Sequence, residues 1–392
     1  MPVKDKGAAM GEERKTIAKA FMDMALGLET GSFERRPRIA VTGMGGEHGE
    51  QTVMEGALMA AKRGVDVYYI GTLEAEGVTT VKAANEDNGH KIMGEMMENG
   101  EIDGAVTMHY PFPIGVSTVG RVVTPARGKQ MFIANTTGTS GVDRAEAMVK
   151  NAICGIVAAK ACGVKEPTVG LLNLDGAWQA ELKLKELQKN GYDIRFAESA
   201  RADGGAVMRG NDMLTGSADV MVMDSLTGNV MMKMLSSYTT GGGYESMGWG
   251  YGPGIGQGFD KLILIVSRAS GAPVAANAIL YGAELVKGRI FDVIKDEFAR
   301  AEKAGLSSIL ASRKAAAKPL DKAETVAAPP AQPVAASIPG IDVMDLEEAV
   351  RTLWKQGIYA ESGMGCTGPL VMISEANCEK AAEILKKAGY TA

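Results

Sequence analysis

The chain has 392 residues and carries 42 Lys and Arg against 47 Asp and Glu, a formal net charge of -5. At roughly 150 residues per domain, this length accommodates two or three domains and a sizeable core. The absence of a basic excess argues against nucleic acid or an anionic membrane as partner, and no apolar run approaches the roughly 20 residues needed to cross a bilayer. Residues 1–14 are charged and lack an apolar core, so no secretory leader is expected. Four cysteines without a CxxC pair fit a reducing cytoplasm.

In chain order, an amphipathic helix is expected over 12–28. From residue 38 to about residue 300, short β-branched runs alternate with helical patterns. Strands are expected at 39–42, 65–70, 104–108, 131–134, 169–174, 218–223 and 262–266. Helices are expected at 51–62, 143–161, 179–189, 229–235 and 274–300. Such alternation implies parallel strands with helices on both faces, an α/β body over 1–311. Residues 312–339 then hold nine alanines, five of the 14 prolines and almost no large apolar side chain. A segment of this kind cannot bury enough surface to offset its ordering entropy, and it reads as a linker over 312–340. Its reach is roughly 30 Å as a coil and about 85 Å when extended. Residues 341–392 form a small module of their own. Val343, Leu346, Val350, Leu353 and Trp354 recur at helical spacing, a strand is expected at 370–373, and a second helix starts at Ser374 and stops at Gly389.

Between those two helices lies the loop Glu361-Ser-Gly-Met-Gly-Cys-Thr-Gly-Pro369. Gly363, Gly365 and Gly368 around Cys366 create a tight turn whose amides can converge on an anion, the environment that suits a thiolate engaged in acyl transfer. A half-buried structural cysteine is the alternative reading of the same residues. Cys154, Cys162 and Cys378 sit among small apolar residues at helical positions and read as packing groups.

After the first strand comes Gly43-Met-Gly-Gly-Glu-His-Gly49, whose spacing departs from the dinucleotide fingerprint because His48 stands where glycine is required. Gly45, Gly46 and His48 are candidates for holding phosphate at a helix N-terminus; a plain β-to-α turn is the alternative. No P-loop, HExxH or paired-cysteine zinc pattern occurs, and the three histidines are too scattered in sequence to suggest a metal, with His90 reading as a surface residue. Three further stretches place hydroxyls, amides and cations near expected strand ends, where open parallel sheets bind ligands. They supply Asn135 and Thr136, Asn229 and Lys233, and Ser267 with Arg268 as candidate phosphate contacts.

Ile39-Ala-Val-Thr-Gly-Met-Gly-Gly-Glu-His48, followed by a helix containing Glu55-Gly-Ala57, resembles the opening of the PlsX-type phosphate acyltransferases. Thr227-Gly-Asn-Val230 with Lys233, and Gly271-Ala-Pro273, are similar to later motifs of that group, and Ser267-Arg268 resembles a substrate-site pair of the phosphate acetyltransferases. Glu47 stands where the PlsX group has aspartate, and the lipid enzymes lack the tail. With the Ala/Pro linker and the Cys366 loop added, the whole resembles the alpha-subunit family of protein C of glycine reductase. The resemblance implies a two-lobed parallel-sheet body of the PlsX and isopropylmalate dehydrogenase type. It also implies a cytoplasmic subunit that works with a beta subunit and selenoprotein A and needs no organic cofactor or metal. In that family a carboxymethyl group on the selenocysteine of protein A is converted by protein C, using reducing thiols, to an acetyl thioester, and orthophosphate releases it as acetyl phosphate. The acetyl-carrying cysteine of the family corresponds to Cys366. Rival readings are a lipid-pathway phosphate acyltransferase, a metal- and nicotinamide-dependent dehydrogenase of the same fold, and a non-catalytic scaffold.

Overall fold

The computed structural model describes residues 35–201, 204–311, 326–341, 345–365 and 368–391, together with Phe21, Met24, Ala25 and Leu28. The chain divides into two compact units, Met1–Pro37 and Arg38–Ala392. In the first, Phe21, Met24, Ala25 and Leu28 are helical; the rest of the helix expected over 12–28 lies outside the described residues.

The second unit is α/β, and its first lobe follows directly from the apolar runs. Strands β1 (Arg38–Thr42), β2 (Asp66–Gly71) and β4 (Gly104–Thr107) pair in parallel, with β3 (Thr79–Lys82) at the edge and β12 (Ile263–Ile265) on the far side of β4. Helix α1 (Gly49–Ala61) covers this half-sheet together with α7 (Ala272–Lys287), while α2 (Glu86–Glu98) packs against β1 and β2. The second lobe contains β6 (Gln130–Thr139), β10 (Val220–Val222), β7 (Thr168–Leu172) and the two-residue strands β8 (Arg195–Phe196) and β9 (Val207–Met208), again in parallel. Helix α3 (Arg144–Ala161) is apolar on nearly every side because it is buried against β6, β10 and neighbouring helices. The Asp143 carboxylate caps it by accepting the Glu146 N–H at 2.8 Å. Helices α4 (Ala177–Lys189), α5 (Gly210–Thr215) and α6 (Ser225–Ser237) complete this lobe.

Two strands that the sequence reading does not anticipate join the lobes. β5 (Val116–Val123) runs antiparallel to β6, and β11 (Gly252–Ile255) is antiparallel both to β5 and to β12. The result, among the described residues, is one twelve-stranded sheet ordered β3-β2-β1-β4-β12-β11-β5-β6-β10-β7-β8, with β9 beside β7. The sequence Gly-Pro-Gly-Ile looks like a turn, yet it is the central seam. Gly252 has φ +87°, and a Cβ there would stand 1.7 Å from the Val119 carbonyl oxygen.

Two further expectations need correction. The helix expected over 274–300 is two helices, α7 and α8 (Ile290–Lys303), because Gly288 presses on the end of α3 and Arg289 adopts a left-handed φ of 52°. A short helix α9 (Leu306–Ala311) follows. The helix expected over 229–235 begins four residues earlier, at Ser225: Asp224 accepts the Thr227 N–H at 2.9 Å as its N-cap.

The C-terminal module has its own core, built from Leu346, Val350, Leu353, Val371, Ile373 and Leu385 among others. Its sheet is antiparallel, ordered β13 (Ala336–Pro339), β15 (Gly368–Ile373), β14 (Ala360–Gly365), backed by α10 (Leu346–Lys355) and α11 (Cys378–Lys387). Strand β13 arises inside the stretch read as linker, so the end of that stretch is part of the module's sheet. Strand β14 occupies most of the glycine-rich stretch expected as loop. Residues 312–325 of the expected linker lie outside the described residues.

Helix α6 lies directly on β6 because Gly228 has no side chain: a Cβ there would come within 1.8 Å of the Asn135 carbonyl oxygen. Gly228→Ala is expected to cost roughly 1–3 kcal/mol through overpacking, read as a lowered denaturant midpoint; an unchanged midpoint would refute this close approach.

Candidate active site

A cleft of about 430 Å³ opens where strand ends of the first lobe face helix α6 of the second. The continuations of β4 and β12 supply Met108, His109 and Tyr110 on one side and Ser267 and Arg268 on the other. Helix α6 supplies Asn229 and Lys233, four residues apart and therefore on one helical face. Thr137, Tyr251 and Glu47 complete the principal polar lining. This is the position outside strand carboxyl ends at which open α/β sheets bind ligands.

The two cations are held differently. Lys233 Nζ lies 5.7 Å from the centre of the Tyr251 ring, over its face. Arg268 reaches Glu86 at 3.5 Å, and its backbone oxygen accepts the Glu47 N–H at 2.8 Å, which ties the β1–α1 turn to the turn after β12. Burial, reinforced by the Glu245 carboxylate that accepts its hydroxyl, raises the Tyr251 phenol above its ordinary range, so Tyr251 is a neutral wall of the cleft. An amide, a hydroxyl and two cations converging on one cavity can hold a phosphate or phosphate ester.

Four sequence-derived candidates, Asn229, Lys233, Ser267 and Arg268, are thus brought together. Gly45, Gly46 and His48 are not among the residues lining the cleft. Gly45, with φ +94°, and Gly46 leave room for the Glu86 carboxyl group and the Met108 side chain, while the exposed His48 ring meets Tyr244 edge-on at 5.9 Å. Asn135 and Thr136 need correction as ligand contacts. The strand expected over 131–134 continues to Thr139, so both residues are buried inside the sheet. Asn135 Oδ1 accepts the Thr118 and Thr137 N–H groups, and its amide donates to the Gly138 carbonyl; Thr136 donates to the Tyr251 carbonyl at 2.7 Å. Their polar atoms are used in joining β5, β6 and the approach to β11.

His90, expected at the surface, is half-buried, with Nε2 2.9 Å from the Thr107 hydroxyl, which also accepts from Thr42. It lines a second, more apolar cavity with Met93, Met97 and Ile263 that shares His109 and Tyr110 with the first. His109, Tyr110, Thr137 and Tyr251 escape a reading by motif. His109 and Tyr110 follow β4, Thr137 lies in the unanticipated extension of β6, and Tyr251 immediately precedes β11, a strand that its glycine and proline content conceals. Among the described residues no group of three or more His, Cys, Asp or Glu is arranged to hold a metal ion, and no helix is long and apolar enough to cross a membrane.

Cys366 lies outside the described residues. The strands on either side of positions 366 and 367 pair through Gly365 and Gly368. Cys154 is buried in α3 and its Sγ meets the Ile255 carbonyl at 3.4 Å. Burial pushes the thiols of both Cys154 and Cys162 up to about 12. Cys378 packs at the edge of the module core.

The fold and the cleft define a two-lobed α/β protein with an anion-suited site between its lobes. Residues 37–372 match the family model described as fatty acid synthesis protein. The glycine/sarcosine/betaine reductase complex component C subunit alpha of Peptoclostridium acidaminophilum is 56% identical over 385 residues, covering 98% of this chain and 100% of that protein. Phosphate acyltransferases of Thermus thermophilus and Gluconacetobacter diazotrophicus are 26% and 29% identical over 50% of this chain, spanning 70% and 62% of their own lengths. A branched-chain phosphotransacylase from Enterococcus faecalis V583 superimposes with a TM-score of 0.44 at 15% identity, covering 63% of this chain and 99% of that one. The chain belongs to the fatty acid synthesis protein family and, within it, to the alpha subunits of glycine/sarcosine/betaine reductase component C.

At pH 8 a thiol pushed to about 12 is ionised to about one part in ten thousand, and only the thiolate is alkylated readily. Iodoacetamide should therefore leave Cys154 and Cys162 unmodified in the folded protein and label both after unfolding, as read by peptide mass mapping. Rapid labelling of either in the native state would contradict their burial.

Proposed function

We propose that this subunit transfers an acetyl group from a thioester to orthophosphate, with Cys366 as the acetyl carrier and the Lys233/Arg268 cleft as the phosphate site. Phosphate oxygen attacks the thioester carbonyl, the carbon–sulfur bond breaks, and the products are acetyl phosphate and the Cys366 thiol, with the phosphate proton passing to the sulfur. The thioester is already activated, so binding and aligning a dianionic nucleophile beside it supplies most of the required catalysis. Lys233 and Arg268 neutralise the incoming phosphate, Asn229 and Ser267 orient it, and no dedicated base is needed because dianionic phosphate is itself nucleophilic. The Ala/Pro-rich stretch beginning at residue 312 acts as the tether between body and module. A beta subunit and selenoprotein A, the source of the two-carbon unit, are the partners in this reading, and the cytoplasm is its setting.

The observation that carries the proposal is the convergence of Asn229, Lys233, Ser267 and Arg268 on one cleft at the strand ends. The near full-length likeness to a component C alpha subunit favours acetyl over long-chain acyl groups.

Incubation with acetyl phosphate should add one acetyl group to the intact chain, located at Cys366 by peptide mapping and missing from Cys366→Ser. A Cys366→Ala variant that still exchanges acyl groups with phosphate at full rate would overturn the carrier role. Lys233→Met and Arg268→Gln should each raise KM for phosphate by roughly tenfold to a hundredfold, the worth of a charge-assisted hydrogen bond; unchanged KM in both would remove phosphate from this cleft.

A further inference from the structure

Glu245 is only 3% exposed, and both of its carboxylate oxygens are engaged by hydroxyl groups. One oxygen accepts the Tyr251 hydroxyl at 2.9 Å and the other accepts the Ser270 hydroxyl at 3.0 Å. Tyr251 is the wall against which Lys233 rests. Ser270 closes the turn that carries Ser267 and Arg268: its hydroxyl accepts the Ser267 N–H at 3.1 Å, and its own N–H donates to the Ser267 carbonyl at 3.1 Å. The backbone of Glu245 adds two more ties to the same turn, donating to the Ala269 carbonyl at 2.9 Å and accepting the Gly271 N–H at 2.8 Å. Tyr251 is fixed in turn by Thr136, which donates to its carbonyl, and by its own N–H on Ile265.

A buried carboxylate is costly unless its oxygens are satisfied. Here both are spent on neutral hydroxyls, one from Tyr251 beside Lys233 and one from Ser270 of the turn that carries Arg268, although core packing alone would be better served by an apolar residue. We infer that Glu245 is a positioning residue for phosphate, a clamp whose two oxygens hold the Tyr251 wall beneath Lys233 at a fixed separation from the 267–270 turn that carries Arg268. The inference rests on the phosphate reading of this cleft and specifies what keeps its two cations in register. An anion contacted by both cations loses affinity when one of them moves, because a hydrogen bond to a charged group is worth roughly tenfold to a hundredfold.

The test is binding of inorganic phosphate to the full-length chain, followed by phosphorus NMR line broadening, with thermal midpoints recorded in parallel. Glu245→Ala should weaken phosphate binding about tenfold or more, the loss of one charge-assisted contact. Glu245→Gln, which keeps the size and an acceptor oxygen, should stay within about threefold of the parent. If Glu245→Ala does not fold, Tyr251→Phe and Ser270→Ala each remove one arm of the clamp. Each should weaken phosphate binding, and the double variant should be little worse than the poorer single one, because both arms act through one carboxylate. A purely structural role predicts lower thermal midpoints with unchanged phosphate affinity, and that result would overturn the inference. Parent protein that does not bind phosphate would overturn the cleft assignment together with the clamp, whereas parent binding that these variants leave intact would overturn the clamp alone.

Discussion

The two half-sheets of this protein meet at β11, a strand of four residues pressed between antiparallel neighbours. Each half is an ordinary parallel array built from βα units, and each could direct its strand ends elsewhere. The seam fixes how they face one another. It tolerates no side chain at Gly252, where the backbone passes against Val119, and it seats Tyr251 immediately before the strand. Arg121 on β5 reinforces the same region: its guanidinium stacks 4.4 Å from the Trp249 ring and pairs with Glu284 of α7 at 2.6 Å. The seam therefore sets the distance between α6 and the turn after β12, and with it the shape of the cleft.

Much of the body was legible because its strands are buried on both faces and read as continuous apolar runs, while its helices carry clear caps such as Asp143. The seam was not. Its residues are chosen for close backbone approach, and Gly-Pro-Gly written along a chain resembles a turn. The edge strand β3, Thr-Thr-Val-Lys, lacks the apolar content that marks its neighbours. The interruption at Arg289 was hidden because the apolar periodicity of α7 and α8 continues across it; its cause is the proximity of α3, a tertiary contact.

The site was legible to the extent that its residues had chemistry to advertise. Asn229, Lys233, Ser267 and Arg268 were found as polar groups near strand ends. Asn135 and Thr136 have the same composition and a similar position, but β6 runs on past them and their polar atoms are consumed by the β5 and Tyr251 backbone. Local sequence cannot distinguish a hydroxyl that ends a strand from one that continues it. Glu245 shows the converse: nothing in its neighbours marks it, and its importance emerges only when Tyr251 and Ser270, distant from each other in sequence, are seen to share its two oxygens.

A twelve-stranded sheet must also finish somewhere. One margin here is β8, two residues long, and the other is β3, four residues that end on Lys82. Both leave very few unpaired backbone amides and carbonyls in a row, and lysine at such a border disfavours the approach of another ribbon. The widest structural layer is thereby kept from recruiting copies of itself by strand addition, leaving association to surfaces that side chains can specify.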